Sequence, residues 1–372
     1  MTGAGATGAT LGPGVSHEEL ALATRNHGMP LEAMQWPVTP LGLHYLLVHY
    51  DIPVVEPASW RVVVGGEVEH PRSWSLAELR ARPAHTVTVT MECAGNGRSF
   101  LDPRPVSQPW GLEAVGTARW TGVPLRDVLE EAAPRPGAVA VVFRGLDRGV
   151  EGGVEQSYER SLDLGEAGRD DVLLAYEMNG APLLPQHGFP LRAVVPGWYG
   201  MTNVKWLAAL TVIDAPFTGY QHERAYRLRS DDESPGDPLT RMMPRALMVP
   251  PGVPEFLSRR RVLDAGVHVL RGRAWSGWAP VEAVEVSVDG GTTWAPAALD
   301  EPADRWAWRG WSFEWRAERP GDVELCCRAR DASGGAQPDA AGWNAGGYAN
   351  NAVQRVGVTV RPAGTGGVAG PP

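Results

Sequence analysis

Hydrophobic and polar positions alternate in short runs along the first part of the chain, from Glu18 to about Tyr226. Residues 61–64 read as a strand, and 86–91 (TVTVTM) place β-branched residues at a period of two. Ser75-Leu76-Ala77-Glu78 has the capping-box spacing that opens a short helix. In 124–133, Leu125, Val128, Leu129 and Ala132 fall on one helical face, with Pro124 where a helix start tolerates it. Residues 139–143 and 191–195 read as further strands. Between them, 172–178, Asn179-Gly180 and 181–184 form a hairpin pattern with a type I′ turn. Short strands that do not alternate strictly with helices predict an α+β domain rather than a doubly wound one.

The texture changes after residue 230. Residues 230–254 carry Pro235, Pro238, Pro244, Pro250, Pro251 and Pro254, which reads as a linker or crossing segment. Beyond it, 267–274, 281–288, 312–315, 323–328 and 353–360 read as strands, with Asp289-Gly290-Gly291 as a hairpin turn. Eight of the fifteen Trp fall between Trp275 and Trp343. Such a run of short strands, turns and large aromatics predicts an immunoglobulin-like β-sandwich. The expected organisation is a flexible tail over 1–16, a mixed α/β domain over 17–240, the sandwich over 241–362 and a second flexible tail over 363–372. There is no internal repeat.

Composition narrows the functions. The net charge of −9 argues against a nucleic-acid groove. No apolar run approaches the ~18 residues of a membrane helix. The N-terminus has neither a basic–apolar leader nor a twin arginine, so a cytoplasmic protein is expected. Three cysteines, Cys93, Cys326 and Cys327, exclude a disulfide framework, and no zinc or covalent haem spacing is present. Of the 34 basic residues only Lys205 is a lysine. In so Arg-biased a chain, a retained lysine is a candidate for a specific role.

Several apparent motifs lack their context. Gly3-Ala4-Gly5-Ala6-Thr7-Gly8 fits GxGxxG, but no strand precedes it. His17-Glu18-Glu19 has no second histidine at zincin spacing. Arg259-Arg260-Arg261 reads as a solvated surface, and Cys326 and Cys327 as structural strand residues with side chains on opposite faces.

Cys93 differs. It ends the TVTVTM strand in Met91-Glu92-Cys93-Ala94-Gly95-Asn96-Gly97-Arg98-Ser99, where two glycines permit close approach to a ligand. Arg98 is near enough in sequence to favour a thiolate, a soft ligand suited to a redox metal. The alternative is a small buried hydrophobe at a strand end.

These residues resemble the sulfite oxidase family of molybdenum-pterin enzymes. The resemblance runs in order through Arg25-Asn26-His27, the Glu92–Arg98 loop, Thr117-Ala118-Arg119-Trp120-Thr121-Gly122-Val123-Pro124-Leu125 and Leu174-Ala175-Tyr176-Glu177-Met178-Asn179-Gly180. It continues through His187-Gly188-Phe189-Pro190-Leu191-Arg192, Val195-Pro196-Gly197, Val204-Lys205-Trp206 and Gly342-Trp343-Asn344 to Arg355-Val356. It covers about residues 20–360. By this resemblance Cys93 is the molybdenum ligand. Asn26, His27, Asp147, His187, Arg192, Asn203, Val204 and Lys205 match positions that hold one molybdopterin per chain and its phosphate. Asp147 rests on a short match, Gly145-Leu146-Asp147, that also reads as a turn. Arg25, Arg98 and Arg355 match an anion pocket, Trp110 its aromatic wall and Tyr226 a substrate-side tyrosine. Because Arg355 lies in the second domain, the pocket is expected at the domain junction. Gly97 stands where many relatives have a second arginine.

The resemblance implies oxidation of sulfite to sulfate, with electrons passing to an external acceptor, a cytochrome or oxygen, since no haem motif lies in the chain. It also implies a homodimer through residues 250–362. The alternatives are an assimilatory-type nitrate reductase, a molybdenum methionine-sulfoxide reductase, and a non-enzymatic immunoglobulin-like binding protein.

Overall fold

The computed structural model describes residues 15–231 and 233–363. The Gly3–Gly8 motif and most of both expected tails lie outside them. The chain forms two compact units. One comprises Met1–Met29, Pro40–Thr240 and Gly342–Asn350; the other comprises Pro30–Thr39, Arg241–Ala341 and Asn351–Pro372. The division between Thr240 and Arg241 is interrupted by two exchanges, and the second returns Gly342–Asn350 to the first unit.

The first unit has two five-stranded sheets. In one, the order is Arg72–Ser75, Arg61–Gly66, Leu207–Ile213, Ala140–Glu151 and Val154–Asp163. Only the Arg61–Gly66 and Leu207–Ile213 pair is parallel. In the other, His85–Glu92, Val115–Pro124, Leu173–Met178 and Ala181–Pro182 follow in order, and Arg192–Val194 also pairs with Leu173–Met178. The predicted hairpin turn has Asn179 and Gly180 at φ +55° and +78°, as a type I′ turn requires. The helices are short. Leu76–Arg80 carries the predicted capping box on Ser75, and Leu125–Ala132 buries Leu125, Val128, Leu129 and Ala132.

The second unit is a β-sandwich. A four-stranded sheet (Arg245–Met248, Gly266–Trp275, Arg309–Ala317, Ala298–Leu299) is accompanied by a six-stranded one built on Arg261–Asp264, Gln354–Arg361, Gly321–Asp331 and Val281–Ser287. Trp311, Trp315, Leu270, Val284, Leu325 and Val358 fill its core. Asp289-Gly290-Gly291 lies in the connection from Val281–Ser287 to Ala295–Pro296, with both glycines at positive φ.

Two expectations are corrected here. The proline-rich 230–254 segment does carry the chain from the first unit to the second, between Thr240 and Arg241, but it is more than a linker: Arg245–Met248 is a fully buried strand paired with Gly266–Trp275. Five residues between Pro244 and Pro250 are too few to show a period. Nor is Arg259-Arg260-Arg261 wholly solvated. Arg261 is buried, donating to the carbonyls of Pro250, Pro251 and Gly252 and pairing with Glu32. Alternation along Arg261–Asp264 turns that one arginine inward. Cys326 and Cys327 are both buried in Gly321–Asp331. Among the described residues, no helix is long and apolar enough to cross a membrane.

Candidate active site

Cys93 follows the last residue of His85–Glu92 and begins a loop that the sequence holds from several sides. The Cys93 amide donates to Ala114 O at 2.9 Å. Asn96 bridges the loop: its Nδ2 donates to Glu92 Oε1, and its Oδ1 accepts from the Ala114 amide. Gly97 adopts φ +89°, and Asn350 Nδ2 donates to its carbonyl at 2.7 Å. A Cβ on Gly95 would lie 2.6 Å from Arg98 Nη2, so glycine there is what lets the guanidinium fold back over the loop.

Two cavities share Cys93, Leu47, His49 and Tyr226 as wall. All their lining residues belong to the first unit. The inner one is cationic. Arg192 is buried and donates to the carbonyls of His187 and Asn203, with its Cζ 4.6 Å from the Trp120 ring centroid. Burial pushes it down to about 10. Lys205 donates to the carbonyls of Leu47 (2.7 Å) and Gln186 (3.0 Å), and burial, aided by Arg192, pushes it down to about 7. His187 and His44 are pushed by burial to about 2 and about 4, so both are neutral at pH 7. The Nε2 of His44 is buried with no hydrogen-bond partner.

Asp147 is the acidic side chain of this cavity, raised by burial to about 6. It does not sit in a turn. The strand Ala140–Glu151 changes register against Val154–Asp163 between Arg144 and Arg148, a bulge that re-aims Asp147 inward. A Cβ on Gly145 would meet Asp147 Oδ1 at 2.4 Å.

The outer cavity adds Arg98, Trp110, Asn26, Gln108, Tyr50, Glu151 and Tyr348. Among the described residues Arg98 has no carboxylate partner; it donates to Gly346 O and Gln108 O. The Cys93 thiol is pushed up by burial, against the pull of Arg98. With the protein groups alone burial wins, contrary to the expected thiolate; a cation bound at the sulfur would reverse that balance.

The structure therefore brings together Cys93, Asp147, His187, Arg192, Asn203, Val204 and Lys205 at the inner cavity, and Arg98, Trp110, Tyr226 and Asn26 at the outer one. Some of these act as scaffold. The Asn26 amide is spent on Leu22 O, the Val48 amide and Gln108. That of Asn203 is spent on the Val195 amide and Tyr199 O. Three expected residues are not gathered. Arg25 is exposed at the end of His17–Arg25 and reaches Tyr50 O and Asp51. His27 is exposed and contributes a backbone bridge to Leu46. Arg355 belongs to the second unit, where Glu324 Oε1 (2.7 Å) and Gly290 O hold its guanidinium, and it lines neither cavity. The segment that does run along the cavities is 44–50, with His44, Leu47 and His49. Tyr348 was also missed, although the Trp343-Asn344 match contains it.

The donor set suits an anionic organic group carrying a metal. The guanidinium and ammonium of the inner cavity match a phosphate. His44 Nε2 is an unfilled polar contact, and a sulfur stands at the boundary. Among the described residues no cluster of three His, Cys, Asp or Glu side chains forms a metal site by itself, so a metal at Cys93 would take its remaining ligands from such a group. That defines a cofactor-dependent redox site. Residues 49–221 match the oxidoreductase molybdopterin binding domain, and 244–361 match the Mo-co oxidoreductase dimerisation domain.

The chain belongs to the sulfite oxidase family of molybdenum-cofactor oxidoreductases. It is 38% identical over 336 residues to sulfite oxidase of Gallus gallus, covering 86% of this chain and 72% of that protein. It is 36% identical to the mitochondrial sulfite oxidase of Mus musculus, 87% of this chain and 62% of that one. The NADH nitrate reductase 1 of Oryza sativa subsp. japonica is 33% identical, over 87% of this chain and 38% of that protein. The chain thus spans less than two thirds of the mouse and rice proteins. In fold it is similar to the sulfane dehydrogenase SoxCD from Paracoccus pantotrophus, with TM-score 0.76 and 24% identity over 95% of this chain and 92% of that one.

Proposed function

We propose that this protein oxidises sulfite to sulfate: sulfite and water become sulfate, with two protons and two electrons released to an external acceptor, a cytochrome or oxygen. The observation that carries this reading is the position of Cys93, its sulfur in the wall shared by a cationic inner chamber and an arginine-bearing outer one. When bound, the molybdenum–pterin group supplies the two-electron oxygen-atom chemistry.

The chain's own part is binding and orientation. Arg192 and Lys205 hold the phosphate end, and backbone carbonyls fix both cations so that no reorganisation is needed on binding. Cys93 ligates the metal. Arg98, unpaired by any carboxylate, faces a small anion, while Trp110, Tyr226 and Tyr348 limit the space and exclude water. His49, whose Nε2 lies 2.9 Å from Glu151 Oε2, links the cavity wall to a partly exposed carboxylate. The dimerisation domain supports a homodimer. Its test is sedimentation at micromolar concentration, where a monomer would count against it.

The purified protein should contain about one molybdenum per chain and reduce an acceptor only when sulfite is added. Nitrate-dependent oxidation of a reduced dye without sulfite turnover would transfer the assignment to the nitrate-reducing relatives. Absence of molybdenum after expression with the cofactor pathway would overturn it.

A further inference from the structure

Four side chains beside the outer cavity follow one another as cation, ring, ring and cation. Arg98 Cζ lies 5.2 Å from the Tyr348 ring centroid. The Tyr348 and Tyr226 centroids are 5.3 Å apart. Arg160 Cζ lies 5.6 Å from the Tyr226 centroid. Arg160 stands on the strand Val154–Asp163 and is 1% exposed. It donates Nη1 to the Gln221 carbonyl, while its Nε has no partner. No carboxylate pairs with it among the described residues.

An unpaired buried guanidinium is expensive, and Arg does not escape by losing its proton. Holding the Gln221 carbonyl does not explain it, since a neutral amide donates to one carbonyl at far lower cost. Charge accounting points elsewhere. Arg25 and Arg355 are solvent-exposed and face Asp51 and Glu324, whereas Arg98 and Arg160 are buried with no such carboxylate among the described residues, and each stacks on a tyrosine that lines the cavity. In a low-dielectric wall such charges act across a ring.

We infer that Arg160 is a specificity-determining positioning residue: it fixes Tyr226 and supplies, with Arg98, the positive potential that selects a small doubly charged oxyanion in the outer cavity. The inference rests on the sulfite reading and adds to it a residue that does not itself touch substrate.

The test is sulfate binding to the molybdenum-loaded protein by calorimetry, with dimethyl sulfoxide as a neutral probe, beside sulfite kinetics. Arg160→Gln should weaken sulfate about ten-fold and raise the sulfite KM similarly. kcat and dimethyl sulfoxide binding should stay within about two-fold, because only the charge-dependent part is lost. A folded Arg160→Gln protein binding sulfate within two-fold of wild type overturns the inference.

Arg160→Lys keeps a cation and serves if the glutamine variant does not fold. A buried lysine loses its proton as pH rises while arginine does not. The Lys variant should therefore lose sulfate affinity relative to wild type between pH 7 and 10. Tyr158, Tyr226, Tyr348, His222 and Arg227 surround the position in both proteins and cancel in the ratio. A flat ratio also overturns the inference. Failure of wild type itself to bind sulfate overturns the oxyanion reading and this inference with it, whereas normal wild-type binding matched by the variants removes Arg160 alone.

Discussion

Lys205 should make the stability of the cofactor-free protein depend on pH in a defined direction. Its ammonium is pushed from 10.5 to about 7, first by burial and then by Arg192. At roughly 1.4 kcal/mol per tenfold, that corresponds to about 5 kcal/mol against the charged form. Below pH 7 the lysine is charged in both folded and unfolded chains, and the whole penalty is present. Between pH 7 and 10.5 the unfolded chain holds one more proton than the folded one, so stability rises with pH by up to about 1.4 kcal/mol per unit. Lys205→Met removes that slope, along with the two carbonyl bonds to Leu47 and Gln186. The assay is thermal unfolding of cofactor-free wild type and variant at pH 7, 8 and 9, with the variant's profile subtracted to cancel the groups not coupled to Lys205; Asp147, whose carboxyl Lys205 pulls down, rises further in the variant and adds to the difference in the same direction. From pH 7 to 9 wild type should gain about 2 kcal/mol relative to Lys205→Met. That is about 4–8 °C for a unit of this size. Inorganic phosphate at pH 7 should raise the Tm of wild type and leave that of the variant nearly unmoved. Parallel pH profiles would refute the argument that a buried ammonium, only partly offset by Asp147, is stored here for an anion.

Three further outcomes follow from the geometry. Cys93→Ser should keep the circular dichroism spectrum and lose molybdenum and turnover; retained metal with unchanged activity would remove Cys93 as ligand. Gly97→Arg puts a side chain on a backbone at φ +89° and crowds Asn350, whose Nδ2 would lie 3.0 Å from the new Cβ. A loss of ~1–3 kcal/mol is expected, and an unchanged Tm would show that the loop yields freely. Arg355→Gln separates two accounts of the anion pocket. Its engagement with Glu324 predicts a sulfite KM within two-fold of wild type, whereas the match to relatives predicts a raised one.

Much of the local structure was legible because its signals are short-range. The Ser75 capping box, the Asn179-Gly180 turn, the helix over Leu125–Ala132 and the TVTVTM strand each depend on residues within one turn or one pleat of each other. The Arg245–Met248 strand was hidden because five residues between prolines carry no readable period. The Asp147 bulge was hidden because a register change shows only against the partner strand. At the site, Cys93, Arg98, His187, Arg192 and Lys205 were named from motifs that keep their spacing. His44, His49 and Arg160 were not, since none belongs to a stretch that was singled out for chemistry, and Tyr348 was passed over inside the 342–356 match because a tyrosine between glycine and alanine carries no signal of its own.

The distribution of arginines shows where sequence stops. In a chain with 33 arginines, residue type cannot say which guanidinium is free, because that depends on which carboxylate arrives beside it. Sequence alone was enough to place a thiol between glycines at a strand end, a lone lysine in an arginine-rich chain, and two units of different texture. Folding then assigned the charges: Arg25 to Asp51 and Arg355 to Glu324, leaving Arg98, Arg160 and Arg192 buried without an acid among the described residues. Electrostatic energy depends on distance and burial, and both are set by contacts between residues far apart in the chain.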